Sequence, residues 1–381
     1  MEEKMKLYKM QIGQTIIDYE IYSNYDLLMR GLDSLEYKSY FLVYDPNILS
    51  DVVNKMVAHY KGDGRLTLIP FEATERNKDL PSLGNLIEDL IKAGVARSSC
   101  ILALGGGTLG NMAGLAAGLL YRGIDFIHIP TTILACSDSV LSLKQGINSM
   151  KAKNIIGTYY SPVKIMISPE LYTSLPSREI TAGYAEYVKN LIIVIPEQIN
   201  DFNDFDFDEA IGYEGLCTLV EKSIDAKTKL LMNDEHERRE GILLEYGHTV
   251  GHSLEMMFPD VLRHGEGVAF GIMVAGIISQ KMGCYSKTEI DIQKDLLEKI
   301  EIIDNLKSIF KERKIDREIL SEYLLHDNKR GYIECNDQEI AMVIMNKFGE
   351  PLLANGLPII NVPLEEVLES VQLVWEEISK G

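Results

Sequence analysis

The 381-residue sequence predicts an α/β chain in two parts: a Rossmann-like, doubly wound N-terminal domain over 1–170 and a mainly α-helical C-terminal domain over 171–381. Three observations carry this. The length exceeds what one hydrophobic core usually spans, and 46% apolar residues suffice for two. Up to residue 170, short apolar runs alternate with stretches of helical spacing, the pattern of a parallel sheet covered by helices. Beyond it, long helical patterns dominate and strand signals are few.

In order, SYFLVYD (39–45), RLTLIPF (65–71), CILALGGG (100–107), FIHIPTT (126–132) and VKIMIS (163–168) read as strands with turn residues behind them. LPSLGNLIEDLIKAG (80–94) and LGNMAGLAAGLLYRG (109–123) read as the helices between them. In the second part, EYVKNLIIVI, GLCTLVEKSIDAKTKLLM, GEGVAFGIMVAGIISQKM and LEEVLESVQLVWEEIS have helical spacing. The acidic, aromatic stretch 196–215 has no period and reads as a solvated loop.

Lys and Arg number 38 against 57 Asp and Glu, a net charge of −19, with a pI near 4.9. Such a chain repels nucleic acid and anionic membranes, so neither is an expected partner. An anionic small molecule must then be drawn in by a local cationic pocket. MEEKMKLYKM lacks the apolar centre of a signal peptide, and no run approaches the ~18 apolar residues of a membrane span. The expected location is the cytoplasm. Five cysteines without a CxxC pair suit reduced thiols.

GGGTLG (105–110) follows an apolar strand and opens a helix, so Gly105, Gly106 and Gly107 would let the backbone approach a pyrophosphate at a helix N-terminus. Asp45, ending an earlier strand, is either a ribose partner or a turn aspartate in YDPN. In YGHTVGHSLE, His248 and His252 are four apart and share a helix face, and LRHGEG adds His264 at the start of another helix. Glu186 and Lys189 share one face of an apolar helix. These residues either line a metal site or are core histidines beside an internal ion pair. Three ligands of N and O type with room for substrate make the pattern of catalytic zinc. Lys144, Lys153 beside Asn154, Lys189, Lys227, Lys329 and Arg122 lie in apolar or glycine-rich sequence. Converging on one cleft, they would bind a phosphate; singly, each reads as a surface charge.

These residues carry a resemblance. TERNK (74–78), GGGTLGNMAGLAAGLLYRGI (105–124), PTT (130–132), SDSVLSLKQGIN (137–148), KNIIG (153–157), LPSREITAGYAEYVKN (175–190), EYGHTVGH (245–252) and HGEGVAFG (264–271) are similar, in order, to the sugar phosphate cyclases of the dehydroquinate synthase superfamily. The resemblance implies a dehydroquinate synthase-like fold, tightly bound NAD, one divalent metal (zinc or cobalt) in a cleft between two domains, and a homodimer. It makes Glu186, His248 and His264 the metal ligands and turns His252 into a substrate or proton-relay residue. It puts Asp45, Glu75, Lys78, Gly105, Gly106, Gly107, Thr131, Thr132, Asp138 and Lys153 against NAD. Lys144, Asn154, Lys189, Lys227, His252 and Lys329 fall against the substrate, Arg122 against its phosphate, and Glu237 in the catalytic set. The implied chemistry oxidises a carbinol to a ketone, eliminates phosphate, reduces the ketone and closes the ring as an aldol.

Glu245 narrows the choice within the family. Three residues before His248, it would lie one turn from that histidine on a continuing helix. The dehydroquinate synthases mostly hold asparagine there, and arginine where this chain has Gly241. A carboxylate in that place disfavours an acidic substrate, since like charges within ~5 Å cost several kcal/mol when partly desolvated. It would accept hydrogen bonds from a neutral polyol. The expected substrate is D-glucose 6-phosphate, and the expected branch is the one that builds the carbocycle of 2-deoxystreptamine aminoglycosides. Alternatives are dehydroquinate synthesis, a cyclase of sedoheptulose 7-phosphate, a metal-dependent polyol dehydrogenase and a catalytically silent regulatory subunit.

Overall fold

The computed structural model of the chain describes residues 3–47, 50–203 and 211–380. They form two compact units instead of parting once at residue 170. The first takes in Met1–Ser149, Asn154–Pro176 and Asp206–Thr228, the second Met150–Lys153, Ser177–Phe205 and Lys229–Gly381, each in its described part. The chain thus leaves the first unit for good only at Thr228, well beyond the expected boundary.

The first unit is built on a seven-stranded sheet. Its strands are β1 (Met5–Ile12), β2 (Thr15–Tyr22), β3 (Tyr40–Tyr44), β4 (Leu66–Pro70), β5 (Cys100–Gly105), β6 (Asp125–Pro130) and β9 (Lys164–Ile167). Their order is β1-β2-β9-β6-β5-β3-β4. The five expected strands run parallel, and β2 adds to them parallel to β9. Their near-continuous apolar runs suit burial on both faces. The β1–β2 hairpin was not foreseen; its half-exposed, lysine-bearing edge strand lacks that signal. Two further strands, β7 (Lys144–Ile147) and β8 (Ile156–Tyr159), pair as a separate antiparallel hairpin.

Helices α1 (Tyr25–Asp33), α2 (Ser50–His59), α3 (Leu80–Lys92) and α4 (Gly107–Leu119) join the strands. Asp79 caps α3 by accepting from the Ser82 amide at 2.9 Å. The α4 face of the sheet holds a core of Phe41, Val43, Ile101, Ala103, Leu109, Met112, Ala116 and Phe126, each large side chain contributing about 1.5–3 kcal/mol. The chain runs from β3 outward to β4 and from β5 the other way to β6 and β9. The reversal lies between β3 and β5, the place where doubly wound sheets bind ligands at their strand C-termini. Asp45 follows β3, and Gly105 ends β5.

The second unit contains α5 (Ser177–Ile193), α6 (Ile199–Asn203), α8 (His248–Met257), α9 (His264–Lys281), α10 (Lys287–Lys299), α11 (Ile302–Phe310), α12 (Arg317–Leu325) and α13 (Leu364–Lys380). Apolar on all sides, α9 packs against α5, α8, α10, α11 and α13. Two short ladders, Glu339–Met342 with Ile360–Pro363 and Met345–Lys347 with Glu350–Pro351, add strands beyond the expected few signals. Helix α7 (Tyr213–Leu231) belongs to the first unit as far as Thr228, not to the C-terminal part where its helical spacing placed it. The expected loop over 196–215 holds a 3-10 turn at Pro196–Gln198, then α6, and α7 begins within it; residues 204–210 lie outside the described ones. Among the described residues, no helix is long and apolar enough to cross a membrane.

Candidate functional site

In the second unit, glycines bring three helices into close contact. A Cβ on Gly271 would lie 1.8 Å from the Gly247 carbonyl oxygen, and one on Gly251 would lie 2.9 Å from Gly267. Helices α8 and α9 therefore touch backbone to backbone in an antiparallel register. A Cβ on Gly265 would meet the Ala182 carbonyl oxygen at 1.8 Å, which pins α5 across the start of α9. Glu186 lies one turn beyond Ala182, so these contacts deliver it to His264. Gly247 has φ 80°, a left-handed conformation that ends the preceding 3-10 turn, Glu240–Glu245, and lets α8 begin at His248. Glu245 is consequently not one helical turn from His248, as the sequence spacing implied; the Tyr246–Gly247 break separates them.

His248, His252 and His264 each present a nitrogen within 4.8 Å of the other two. Oε1 of Glu186 approaches Nε2 of His248 at 3.3 Å and Nε2 of His264 at 3.2 Å. Two ligand atoms of a tetrahedron with metal bonds of about 2.0–2.1 Å stand about 3.3 Å apart. Nδ1 of His248 donates to the Tyr246 carbonyl at 3.1 Å, and Nδ1 of His264 lies 3.0 Å from Oε1 of Glu255. Each contact turns Nε2 toward Glu186, the outer-shell arrangement that orients histidine ligands. Nε2 of His252 is buried and lacks a hydrogen bond. The geometry thus assembles four donors where the resemblance implied three.

Charge makes the same demand. Glu186 is fully buried, and neither oxygen has a properly directed hydrogen bond. Burial pushes its pKa up, but Lys189 and then His248 outweigh it and hold the carboxyl well below the usual range. Burial lowers His264, yet Glu255 and Glu186 raise it to about 10. His252 stays far below the ordinary histidine range through burial and then His248. Buried carboxylates facing imidazole nitrogens fit a divalent cation, which supplies the positive charge they otherwise extract from a proton. The ammonium of Lys189 pairs with Glu186 and donates to the Leu244 carbonyl at 2.7 Å. The ion-pair reading and the polar-site reading of these two residues therefore both hold.

Beside this cluster, Lys329 is 1% exposed and reaches Asp327 at 2.8 Å and Glu245 at 3.3 Å. Burial lowers its pKa, but Asp327 and then Glu245 raise it above the lysine value. The Glu245 side chain is 16% exposed and so faces a partly enclosed space, not bulk solvent. Two carboxylates on one ammonium leave a net negative charge. Glu237, at φ 51°, is buried, and its carbonyl accepts from Tyr332 at 3.2 Å. Sequence reasoning missed Glu255 and Asp327. The signals were there: Glu255 lies two turns after His248 on the same face of α8, and Asp327 stands two before Lys329.

The first unit holds the glycine turn. Gly106 precedes α4 with φ −76°, so its need is space, not an unusual backbone. A Cβ there would lie 3.2 Å from Thr132 Cγ2, and one on Gly107 3.1 Å from Ser139 Oγ. The Thr131 amide donates to the Gly105 carbonyl at 3.0 Å, and Thr132 Oγ1 accepts from the Ala135 amide at 3.1 Å, which fixes both threonines against the turn. This bare, backbone-lined helix start fits a dinucleotide's pyrophosphate. Asp45 accepts from the amides of Asn47 at 2.9 Å and Ala73 at 3.0 Å, the turn role; each oxygen keeps a second lone pair.

Glu75 accepts from Asn148 at 2.8 Å and Thr108 at 3.2 Å, and Lys78 donates to Asn154 at 2.6 Å. Asp138, on a π-helical turn, pairs with Lys227 at 2.8 Å. Its charge is thereby engaged by a lysine expected on the substrate. Lys144 opens β7, half-buried. Two residues do not join these groups. Lys153 counts with the second unit, where it is buried in an ion pair with Glu255. Arg122 is exposed beyond the far end of α4, about 20 Å of helix from the glycine turn.

Comparison with known proteins gives this arrangement a family. Residues 68–182 match the family model of the 3-dehydroquinate synthase N-terminal part, and residues 183–330 that of its C-terminal part. The 2-deoxy-scyllo-inosose synthase of Streptomyces paromomycinus is 36% identical over 332 residues, 86% of this chain and 84% of that protein. That of Niallia circulans is 34% identical, over 84% and 86%. A crystal structure of 2-deoxy-scyllo-inosose synthase complexed with carbaglucose-6-phosphate, NAD+ and Co2+ superposes with a TM-score of 0.84 at 28% identity, covering 97% of this chain and 99% of that one. The fold is shared with 2-epi-5-epi-valiolone synthase, at a TM-score of 0.80 and 20% identity. The chain belongs to the sugar phosphate cyclase superfamily, in the family of the 2-deoxy-scyllo-inosose synthases.

Proposed function

We propose that this protein is a 2-deoxy-scyllo-inosose synthase, a carbon–oxygen lyase that uses NAD and a divalent metal to cyclise D-glucose 6-phosphate with loss of phosphate. The carrying observation is the Glu186–His248–His264 cluster, with Glu245 and its lysine beside it, in a chain 36% identical to such an enzyme. When bound, the cation polarises neighbouring hydroxyls of the sugar, and NAD takes up and later returns the carbinol hydride.

The protein's own residues do the rest. Glu186 and the two Nε2 atoms hold the cation, with their outer nitrogens fixed by Tyr246 and Glu255. His252, buried with an unpartnered Nε2, accepts a hydrogen bond from a sugar hydroxyl or relays its proton. Glu245 accepts a hydrogen bond from another hydroxyl while Lys329, clamped by Asp327, stabilises developing oxyanions. An acidic substrate would meet the net negative charge of the Glu245–Lys329–Asp327 group, which favours a neutral hexose ring over a carboxylated one. Lys144, Lys189 and Lys227 supply positive charge for the substrate, and Asn154 supplies a polar contact. At the glycine turn, Gly105, Gly106, Gly107, Thr131 and Thr132 cradle the pyrophosphate, Glu75 and Lys78 bind the dinucleotide beside it, and Asp45 offers its remaining lone pairs to a ribose.

Family resemblance supports a homodimer. The enzyme's five unpaired thiols suit the reducing cytoplasm. The test is incubation of the purified protein with NAD, Co2+ or Zn2+ and D-glucose 6-phosphate. The reading requires phosphate and a six-membered carbocyclic ketone in equal amounts, with no net absorbance change at 340 nm. Accumulating NADH would indicate a dehydrogenase, and absence of phosphate release a silent subunit.

A further inference from the structure

At the mouth of the β7–β8 hairpin, Asn148 ties together three segments that sequence reasoning treated separately. Its side-chain Nδ2 donates to Oε1 of Glu75 at 2.8 Å, and its Oδ1 accepts from the Asn154 amide at 3.0 Å. Its own amide donates to the Lys78 carbonyl at 2.8 Å. The circuit closes where the Lys78 ammonium donates to Oδ1 of Asn154 at 2.6 Å. Glu75, for its part, is bound to the first turn of α4 through Thr108. A second amide, Asn111, fixes the same hairpin to the same helix by donating to the Gly107 carbonyl at 2.8 Å and accepting from the Gly146 amide at 2.7 Å.

The chemistry of this node is specific. A carboxamide donates to a carboxylate through its nitrogen and accepts from an amide through its oxygen, two roles that a carboxylate in its place cannot combine. The bond to Asn148 also helps hold Asn154 at φ 56°, a left-handed conformation that costs a non-glycine residue energy and persists when its surroundings dictate it. The described hydrogen bonds of Asn148 go to Glu75, Lys78 and Asn154, not to the glycine turn. We infer that Asn148 is a positioning residue of the dinucleotide site: it sets Glu75 directly, and Lys78 through its carbonyl and through Asn154, at the distances from the glycine turn that NAD requires. This rests on the reading of that turn as the NAD site.

The decisive variant is Asn148→Asp, which keeps the acceptor for Asn154 but replaces the donor to Glu75 with a like charge. Measured by calorimetry on the metal-loaded protein, the Kd for NAD should rise about tenfold or more, while metal content and the thermal midpoint change little. The double variant Glu75→Gln/Asn148→Asp restores a donor and an acceptor in reversed order, and it should bind NAD more tightly than Asn148→Asp alone. Unchanged NAD affinity in Asn148→Asp would overturn the inference, as would a double variant no better than the single one. So would failure of both variants to fold, which would make Asn148 a folding residue only. A wild-type protein that binds no NAD would instead sink the reading of the glycine turn.

Discussion

At the head of α4 the chain makes room by omission, with three glycines whose missing Cβ atoms would have met Leu109, Thr132 and Ser139. At the heads of α8 and α9 it crowds charge together: Glu186, Glu255 and three histidines, most of them buried, face one another across glycine-tight helix contacts. The first arrangement is neutral and is stable before anything binds. The second concentrates buried carboxylates whose desolvation Lys189 and Lys153 offset in part and a bound metal cation would offset further. The two sites should therefore respond differently to substitution.

The largest effect is expected from Glu186→Ala. Metal measured by mass spectrometry should be lost, and phosphate release should fall by about a hundredfold to a thousandfold, the scale for losing an electrostatic stabiliser. An active variant without metal would remove Glu186 from the cluster. Gly271→Ala comes next, since its Cβ would stand 1.8 Å from the Gly247 carbonyl oxygen. Forced apart, α8 and α9 should lose about 1–3 kcal/mol of stability by denaturant titration, and metal affinity should fall with it. A variant as stable as wild type would show that glycine packing does not hold the histidines.

Asp327→Asn should have a smaller, pH-dependent effect. The folded pKa of Lys329 is raised above the ordinary 10.5, so its charge contributes in full below that value and is lost only as pH rises through the raised one. Without Asp327, burial is less opposed, and the alkaline limb of kcat should move down by roughly one pH unit. An unmoved limb would mean that Asp327 does not govern Lys329. The smallest effect belongs to Gly106→Ala, whose Cβ would meet the Thr132 side chain alone, Cγ2 at 3.2 Å and Oγ1 at 3.5 Å. Stability should stay within about 0.5 kcal/mol, while NAD affinity falls several-fold by calorimetry. A large stability loss would break the contrast between the two sites.

That contrast also explains what could be read from the sequence. The parallel strands and GGGTLG were legible because burial on both faces and a strand-turn-helix context write themselves into consecutive residues. The β1–β2 hairpin was not, since a half-exposed edge strand with Lys6 and Lys9 looks like surface. The sequence showed the three histidines and Glu186 as one cluster, but not the contact of Glu255 with His264, which depends on how α8 and α9 pack. Residue spacing likewise placed Glu245 on the α8 helix; the break at Gly247 is a packing requirement against Val268 and Ile272, visible only in three dimensions. Lys153 and Lys227 changed units because the chain crosses between them more than once.

The central claim is that Glu245, tied to Lys329 beside the metal cluster, directs this enzyme to an uncharged hexose ring. The most direct measurement is kcat/KM for phosphate release from D-glucose 6-phosphate by Glu245→Gln, prepared with wild-type metal content. The account predicts a fall of about tenfold to a hundredfold, the worth of a hydrogen bond to a charged group; a value equal to that of the wild type would contradict it.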